Sequence, residues 1–395
     1  MTRIYLDNNA STPMAPEVFE AMLPWLRENY GNASSVHWYG QRAMAALESA
    51  RQRVASLVSA APQEIVFTSS GTEADNLAIL GMSGARRNQG HHLITSSIEH
   101  PAVLSGCRTL EKQGFDITYL GVDRDGLIQL EELRAAVRPE TILISVMMAN
   151  NETGVIQPVQ EIVELARALH IPVHTDAVQA VGKIPVDVKS LGVDLLSLSA
   201  HKIHGPQGIG ALYVRKGVGL TPMMVGGSQE RKRRAGTENV AGAVGLGRAA
   251  ELARQNSLSE SPRVASLRDR FEHSVLTRCP HSQVNGHRWF RVANTSNLGF
   301  EAVDGEALLL ALDMEGVAAS MGAACSSGSL EPSHVLKAMG VRSEILRSSL
   351  RFSLSRFNTE EEIDRAAEIV CRTVEHVRSV PVKVGKQKTA PPVLE

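Results

Sequence analysis

Short apolar segments alternate with amphipathic segments through much of the chain. The apolar segments predict seven strands, at residues 64–68, 92–96, 116–120, 142–147, 172–175, 195–199 and 211–214. Between them, apolar residues recur at helical spacing and predict helices that include residues 73–82, 101–113, 130–137 and 158–169. Because regular alternation of strand and helix is typical of an α/β fold, we predict a mostly parallel seven-stranded sheet covered by helices.

The pattern changes after residue 255. An Ala/Gly-rich helix over 239–255 is followed by a polar segment, 257–262, that ends in proline and predicts a break. Beyond the break we predict helices near 264–276, 306–314, 333–339 and 359–377, and strands at 296–300 and 350–354. We therefore predict a large domain of residues 16–258, a smaller α+β domain formed by 1–15 and 259–380, and a disordered tail, 381–395.

The composition is that of an ordinary globular protein, with 43% hydrophobic residues, 21% charged residues and a formal net charge of −1. Such a chain is not expected to bind nucleic acid or an anionic membrane surface. It has no apolar stretch of the roughly 18 residues that span a membrane, and its first residues lack a signal-peptide core. The four cysteines show neither C-x-x-C nor zinc spacing, a pattern that favours the cytoplasm: Cys107, Cys279, Cys325 and Cys371.

Polar residues follow several of the predicted strands. Because the carboxyl ends of parallel strands meet at one edge of a sheet, we expect them to form a single ligand site: Thr72, His100, Asn151, Asp176 and Lys202. Burial next to other donors would lower the pKa of a lysine and make its amine a Schiff-base nucleophile. The alternative for Lys202, which lies between His201 and His204, is a surface lysine in a turn.

Two further segments favour a pyridoxal phosphate (PLP) site. Asp176 at a strand end is suited to pair with a protonated pyridine nitrogen, although an aspartate there is also a common helix N-cap. Residues 65–75 form a strand, a glycine turn and a helix start, whose free amide groups suit a phosphate. A lysine, a strand-end acid and a phosphate turn together describe PLP chemistry better than any one of them alone.

Five motifs then resemble the cysteine desulfurases of the NifS/IscS type, which are fold-type I PLP enzymes of the class V aminotransferase family. The motifs lie at residues 5–10, 199–202, 226–231, 234–239 and 325–334, so the resemblance covers nearly the whole chain except its tail. Met148 and Ala149, and Ser355 in place of a usual glycine, depart from the pattern. These departures affect the subfamily rather than the function.

The resemblance implies a role for each residue around the cofactor. Lys202 would hold PLP and move the substrate Cα proton, and Asp176 would pair with the ring nitrogen. His100 would stack on the ring and take part in proton transfer, although a lone histidine is usually structural. Gln179 and Asn151 would contact the phenolic oxygen, although Asn151 also suits a plain turn. The phosphate would be bound by Gly71, Thr72, Ser199 and His201 of one subunit. Thr237 of the partner subunit would join them, so the active site would be shared within a homodimer.

Two residues are expected to act on the substrate. Cys325 lies among small residues that pack a core poorly, so we expect a mobile and accessible thiol. No cation lies near it in sequence, so the base that generates its thiolate must come from elsewhere in the fold, with His100 as the candidate. By resemblance, Arg351 binds the substrate carboxylate together with Asn151, whereas Arg356 is interpreted as structural.

The expected activity is the conversion of L-cysteine to L-alanine, with a persulfide formed on Cys325 and sulfur passed to an Fe–S scaffold or another acceptor protein. No resident metal is required, although Cys325 is a candidate transient ligand of a cluster iron. Two alternatives remain open at this stage. One is a different PLP reaction, such as transamination or selenocysteine lyase chemistry, and the other is a non-enzymatic interaction protein on a decayed PLP scaffold.

Overall fold

The computed structural model describes residues 3–321 and 332–379. Its strands are β1 (Ile4–Tyr5), β2 (Ile65–Thr68), β3 (His92–Ser96), β4 (Asp116–Leu120), β5 (Thr141–Ser145), β6 (Val173–Asp176), β7 (Leu195–Ser199), β8 (Gly210–Val214), β9 (Ser282–Val284), β10 (Thr295–Phe300), β11 (Val317–Ala318) and β12 (Ser349–Ser353). Its α-helices are α1 (Pro16–Arg27), α2 (Trp38–Leu57), α3 (Gly71–Arg86), α4 (Pro101–Lys112), α5 (Leu130–Ala136), α6 (Val159–Ala168), α7 (Val188–Leu191), α8 (Val240–Arg278), α9 (Gly305–Met314), α10 (His334–Ala338), α11 (Ser343–Leu346) and α12 (Glu360–Ser379).

A seven-stranded sheet, in the order β2-β8-β7-β6-β5-β3-β4, forms the centre of the molecule. Every neighbouring pair is parallel except the two pairs made by β8, which runs antiparallel to β2 and β7. Most of its strands are buried at every position, as expected when helices cover both faces of a sheet. The predicted fold class is therefore confirmed, and each predicted strand lies within two residues of an observed one.

The predicted break at 257–262 is wrong. α8 runs without interruption from Val240 to Arg278 and passes through Pro262. Its first half packs Ala243, Leu246 and Ala250 into the core of the large sheet, and its second half packs Phe271 and Val275 into a separate core. Because each half is held by its own apolar contacts, tertiary packing outweighs the hydrogen bond that the proline removes.

The second core lies beside a three-stranded sheet in the order β12-β10-β9. Phe271, Phe300 and Phe352 are fully buried in it, and the amino-terminal segment contributes Ile4 and Leu6. β1 also pairs in parallel with β11. We propose that the two cores correspond to the two expected domains, with the first residues of the chain belonging to the smaller one. The predicted tail, 381–395, lies outside the described residues.

Candidate active site

The carboxyl ends of the central strands bring the predicted lysine and acid to one edge of the sheet. Asp176 is the last residue of β6, and Lys202 ends the single helical turn Ala200–Lys202 that follows β7. The Lys202 amine donates to the main-chain oxygens of Asn9 at 2.6 Å and Ala10 at 2.8 Å. The amino-terminal segment therefore closes this edge of the sheet over the lysine.

The amino terminus of α3 leaves main-chain amides open to a ligand. Ser70 caps the helix by accepting a hydrogen bond from the Glu73 amide at 3.1 Å. In the described part of the chain, the amides of Gly71 and Thr72 have no acceptor, so both are available to a ligand. A Cβ on Gly71 would lie 2.8 Å from Val178 and 3.4 Å from Ser199, so only glycine lets the turn pack this closely on β7. Gly71 thus lies beside Ser199, and the binding of a phosphate by Gly71, Thr72 and Ser199 stays a prediction.

The site's acid belongs to a group of buried carboxyls. Asp176 accepts a hydrogen bond from the Val178 amide at 2.9 Å, and burial raises its pKa to about 6, against the opposing charge of Lys202. Burial raises the pKa of Asp75 well above its usual value, and the charge of Asp176 raises it further. Burial also raises the pKa of Glu99 to about 8. Among these three carboxyls, Asp176 is the one whose charged form is favoured by Lys202.

His100 caps α4, with Nδ1 accepting a hydrogen bond from the Ala102 amide at 3.2 Å. Because Nδ1 is an acceptor here, the neutral ring carries its proton on Nε2. Burial, followed by the positive charge of Lys202, lowers the pKa of His100 to about 4, so the ring is neutral at physiological pH. From the sequence, a lone histidine is more often structural than functional, whereas the resemblance implied a functional one. The structure shows that His100 caps a helix. Its role in proton transfer stays a prediction.

Gln179 contacts two residues to which the sequence had assigned no role. Its Nε2 donates to the main-chain oxygen of Asn9 at 2.9 Å, and its Oε1 accepts from the Lys183 amine at 2.5 Å. Burial lowers the pKa of Lys183 well below its usual value, and the charge of Lys202 lowers it further. The only sequence feature that could have indicated the contact between Gln179 and Lys183 is their spacing, since Lys183 lies four residues after Gln179 in a turn-rich segment.

Arg351 contacts Asn151, and their expected role in binding a substrate carboxylate stays a prediction. Arg351, on β12, donates from Nη1 to the main-chain oxygen of Asn151 at 3.0 Å and pairs through Nη2 with Asp7 at 2.8 Å. It is only 3% exposed, and within the described residues its Nε–H has no hydrogen-bond partner. Arg356 instead lies 3.5 Å from Glu260 of α8, in agreement with a structural role. The sequence had not identified Asp7 as a partner of the anchor.

The other predicted residues are placed as follows. His201 lies 3.3 Å from the Ser11 hydroxyl, and burial, then the charge of Lys202, lowers its pKa to about 4. Thr237 is exposed, three residues after Arg234, whose guanidinium pairs with Glu73 of α3 at 2.9 Å. Cys325 lies outside the described residues. The remaining cysteines are buried: Cys107, Cys279 and Cys371.

Comparison with known proteins agrees with this geometry. The family model described as Aminotransferase class-V matches residues 4–366. The chain belongs to the class-V aminotransferase family. A protein named cysteine desulfurase IscS from Methanosarcina thermophila is 53% identical over 384 residues, which cover 97% of this chain and 95% of the relative.

Solved structures of this family share the fold over nearly the full chain. A structure described as a NifS-like protein superposes with a TM-score of 0.90 at 37% identity, covering 95% of this chain and all of the other. A second, described as SspA in complex with cysteine, has a TM-score of 0.80 at 38% identity and covers 91% of this chain and all of the other.

The residues present fit pyridoxal phosphate, the cofactor of this class-V enzyme. Two unpaired amides at the start of α3 match a phosphate, the buried Asp176 carboxylate matches a ring nitrogen, and Lys202 supplies the amine. Among the described residues, no cluster of three or more metal-ligating side chains is present, and no helix is long and apolar enough to cross a membrane.

Proposed function

We propose that this chain is a PLP-dependent cysteine desulfurase that converts L-cysteine to L-alanine and retains the sulfur on Cys325. One observation carries the proposal: a single chain of contacts joins the lysine to the carboxylate anchor. Lys202 donates to the Asn9 main chain, the Asn9 amide donates to the Asn151 main-chain oxygen at 3.1 Å, and Arg351 donates to that same oxygen. Arg351 and Lys202 are therefore linked through two shared neighbours, and we infer that an amino acid bound by Arg351 lies within reach of Lys202.

Each of this chain's own groups then has a defined task. When bound, PLP supplies an electron sink for the substrate Cα. Arg351 binds the substrate carboxylate, Lys202 moves the Cα proton, and Asp176 holds the ring nitrogen in its protonated form. His100, neutral with its proton on Nε2, would stack on the ring of the cofactor and exchange protons with the reacting groups. Gln179 and Asn151 orient the ring through its phenolic oxygen.

The sulfur step uses Cys325. Its thiolate attacks the substrate sulfur, so that an S–S bond forms while the substrate Cβ–S bond breaks. The electron pair of the broken bond passes to the substrate carbon, which takes up a proton and leaves as L-alanine. The persulfide then transfers its outer sulfur to an acceptor protein in the cytoplasm, of which an Fe–S scaffold is the first candidate. In support, relatives of this chain are named cysteine desulfurases, and one related structure contains cysteine.

We also propose that the active unit is a homodimer. An exposed apolar surface on α1, α2 and the segment between them supports this: Phe19, Leu26, Tyr30, Val36, Trp38 and Tyr39. Patches of this kind mark protein contacts, and Thr237 of the partner subunit would complete the phosphate site. Sedimentation should give a dimer that Trp38→Glu weakens, whereas Trp289→Glu, at a residue 77% exposed elsewhere, leaves it intact. A wild-type monomer with full activity would refute the dimer.

The test of the activity is peptide mass spectrometry after addition of L-cysteine without reductant. We expect one extra sulfur on Cys325 and release of L-alanine without any keto acid. Cys325→Ala should keep bound PLP and form no alanine, while Lys202→Ala should lose the absorbance of lysine-bound PLP. Rapid desulfuration by Cys325→Ala would exclude the persulfide route and favour selenocysteine lyase chemistry. A requirement for a keto acid would favour transamination instead.

A further inference from the structure

Lys183 is a second lysine beside Lys202, and the mechanism above does not use it. Both residues line the same cavity, together with His204 and Asn294. The Lys183 amine donates to two neutral amide oxygens, Gln179 Oε1 at 2.5 Å and Asn9 Oδ1 at 2.8 Å. The chain bends sharply to place it there, because Gly182 has φ +77° and a Cβ on it would lie 2.6 Å from Ile203, the neighbour of Lys202.

These two hydrogen bonds decide how two amide side chains are turned. A side-chain amide has an oxygen that accepts and a nitrogen that donates, and its orientation follows from its partners. A lysine amine carries two or three hydrogens, and here it donates one to each of two side-chain oxygens, Gln179 Oε1 and Asn9 Oδ1. Gln179 is therefore held with Nε2 on the opposite side, 2.9 Å from the Asn9 main-chain oxygen that also accepts from Lys202.

The same argument applies to Asn9. Its Oδ1 accepts from Lys183 and, at 3.0 Å, from Asn294. This turns Nδ2 toward Thr295, at 2.8 Å, and toward the Asn151 main-chain oxygen. One amine thus orients both amides next to Lys202, including the Asn9 amide that links the lysine to the Arg351 anchor.

We propose that Lys183 is a positioning residue, which directs the second Nε2–H of Gln179 at the phenolic oxygen of PLP and fixes Asn9 between Lys202 and Asn151. Since the contact of Gln179 with the cofactor belongs to the proposed function, this inference rests on it. Without Lys183, the Gln179 amide can rotate and present its oxygen to the phenolic oxygen of the cofactor. Substitution of Lys183 should therefore cost the hydrogen bond between Gln179 and PLP, which corresponds to roughly tenfold weaker binding of PLP.

The experiment uses the full-length holoenzyme and two measurements other than activity. They are the absorbance of bound PLP titrated from pH 5.5 to 9.5, and the dissociation constant of PLP by equilibrium dialysis. We compare wild type, Lys183→Met, Gln179→Leu and the double variant, with Lys189→Met, an exposed lysine of α7, as the matched control. Lys183→Leu, which needs less space, replaces Lys183→Met if that variant does not fold.

We expect Lys183→Met and Gln179→Leu each to shift the spectral midpoint and to raise the dissociation constant about tenfold, with no further change in the double variant. Lys189→Met should match wild type. An unchanged titration in Lys183→Met, or effects that add in the double variant, would overturn the inference and leave the proposed function standing. If Gln179→Leu alone changes neither measurement, the proposed contact of Gln179 with PLP fails, and the role of Lys183 fails with it.

Discussion

Arg351 and Asp7 lie 344 positions apart, yet Arg351 Nη2 and Asp7 Oδ1 are 2.8 Å apart and join the start of the chain to β12. The pair has a chemical consequence for the substrate site. Asp7 and the Asn151 main chain hold two terminal nitrogens of the guanidinium, so its plane is fixed before any ligand arrives. A fixed fork binds a carboxylate at less entropic cost than a free side chain does.

Arg351→Lys should therefore weaken substrate binding although it keeps the positive charge. An ammonium cannot bind Asp7, Asn151 and a carboxylate in one plane, and the loss of a charge-assisted hydrogen bond predicts a roughly 10- to 100-fold lower kcat/KM for L-cysteine, mainly through KM. Steady-state kinetics on the PLP-loaded protein measures this effect. Arg356→Lys is the matched control and should change kcat/KM by less than about threefold, because Arg356 contacts Glu260. Equal losses in the two variants would argue against Arg351 as the anchor.

Glu99 predicts a pH-dependent stability. Burial raises its pKa from 4.5 to about 8, so the folded protein keeps a proton that the unfolded chain releases. Between these two pKa values, Glu99 ionises in the unfolded chain but stays protonated in the folded protein, which favours unfolding. The stability that Glu99 contributes is therefore lost as the pH rises from about 4.5 through about 8. Because glutamine does not ionise, Glu99→Gln should become more stable than wild type as the pH rises through this window, by a few kcal/mol at most.

Urea unfolding at pH 5 and pH 8 tests this expectation. Glu99→Gln retains the acceptor for the Ser96 hydroxyl and the Met147 amide, so the substitution changes little besides ionisation. Glu111→Gln, at an exposed position of α4, is the control and should show no pH-dependent difference. A difference between Glu99→Gln and wild type that stays constant from pH 5 to pH 8 would contradict the assigned pKa.

Glu230 is expected to stabilise the fold rather than to take part in catalysis. It pairs with Arg51 through two hydrogen bonds, 2.6 and 2.8 Å long, and also accepts from the Phe67 amide of β2 at 3.0 Å. Glu230→Gln leaves the buried guanidinium with only Glu48, 2.9 Å from Arg51 Nε, as its counter-charge, which predicts a loss of about 3 kcal/mol in the free energy of unfolding. Denaturant unfolding measures it. Arg231→Gln, at the next and exposed residue, should cost less than about 0.5 kcal/mol; similar losses for both variants would contradict the assignment.

The sequence predicted the central sheet and placed several candidate site residues at strand ends, because both inferences depend on local patterns. Strand positions follow from short apolar runs, and residues such as Asp176 and Lys202 stand directly after them. Once parallel strands are predicted, the carboxyl-end rule brings those residues together without knowledge of the loops. Similarity to known motifs then added Arg351 and Gln179, which spacing alone did not single out.

The residues that the sequence missed act through partners distant in the chain. Lys183 contacts Asn9, and Asp7 contacts Arg351, so neither pair leaves a local signal. The continuous α8 was missed for a related reason, because a proline is read locally as a break while the two cores that hold the helix form only in the folded protein. The raised pKa of Glu99 likewise depends on burial that no local pattern reports.

Asp176 and Asp75 provide a comparison between two acids of the same buried group, of which only Asp176 has its charged form favoured by Lys202. Burial and the charge of Asp176 both raise the pKa of Asp75, whereas the charge of Lys202 opposes the rise for Asp176. Asp176→Asn keeps the acceptor for the Val178 amide and removes only the negative charge. We expect PLP to bind roughly 10- to 100-fold more weakly, since a charge-assisted hydrogen bond to the ring nitrogen is lost, and alanine formation to slow by about 10²- to 10³-fold.

Asp75→Asn is the matched variant. Because burial favours the neutral form of Asp75 and the amide has the same shape, PLP binding and turnover should change by less than about fivefold. Equilibrium dialysis of PLP and single-turnover alanine release separate the two effects. If Asp75→Asn proved as harmful as Asp176→Asn, the negative charge would be shared by both carboxyls, and the ring nitrogen would be held by the pair rather than by Asp176 alone.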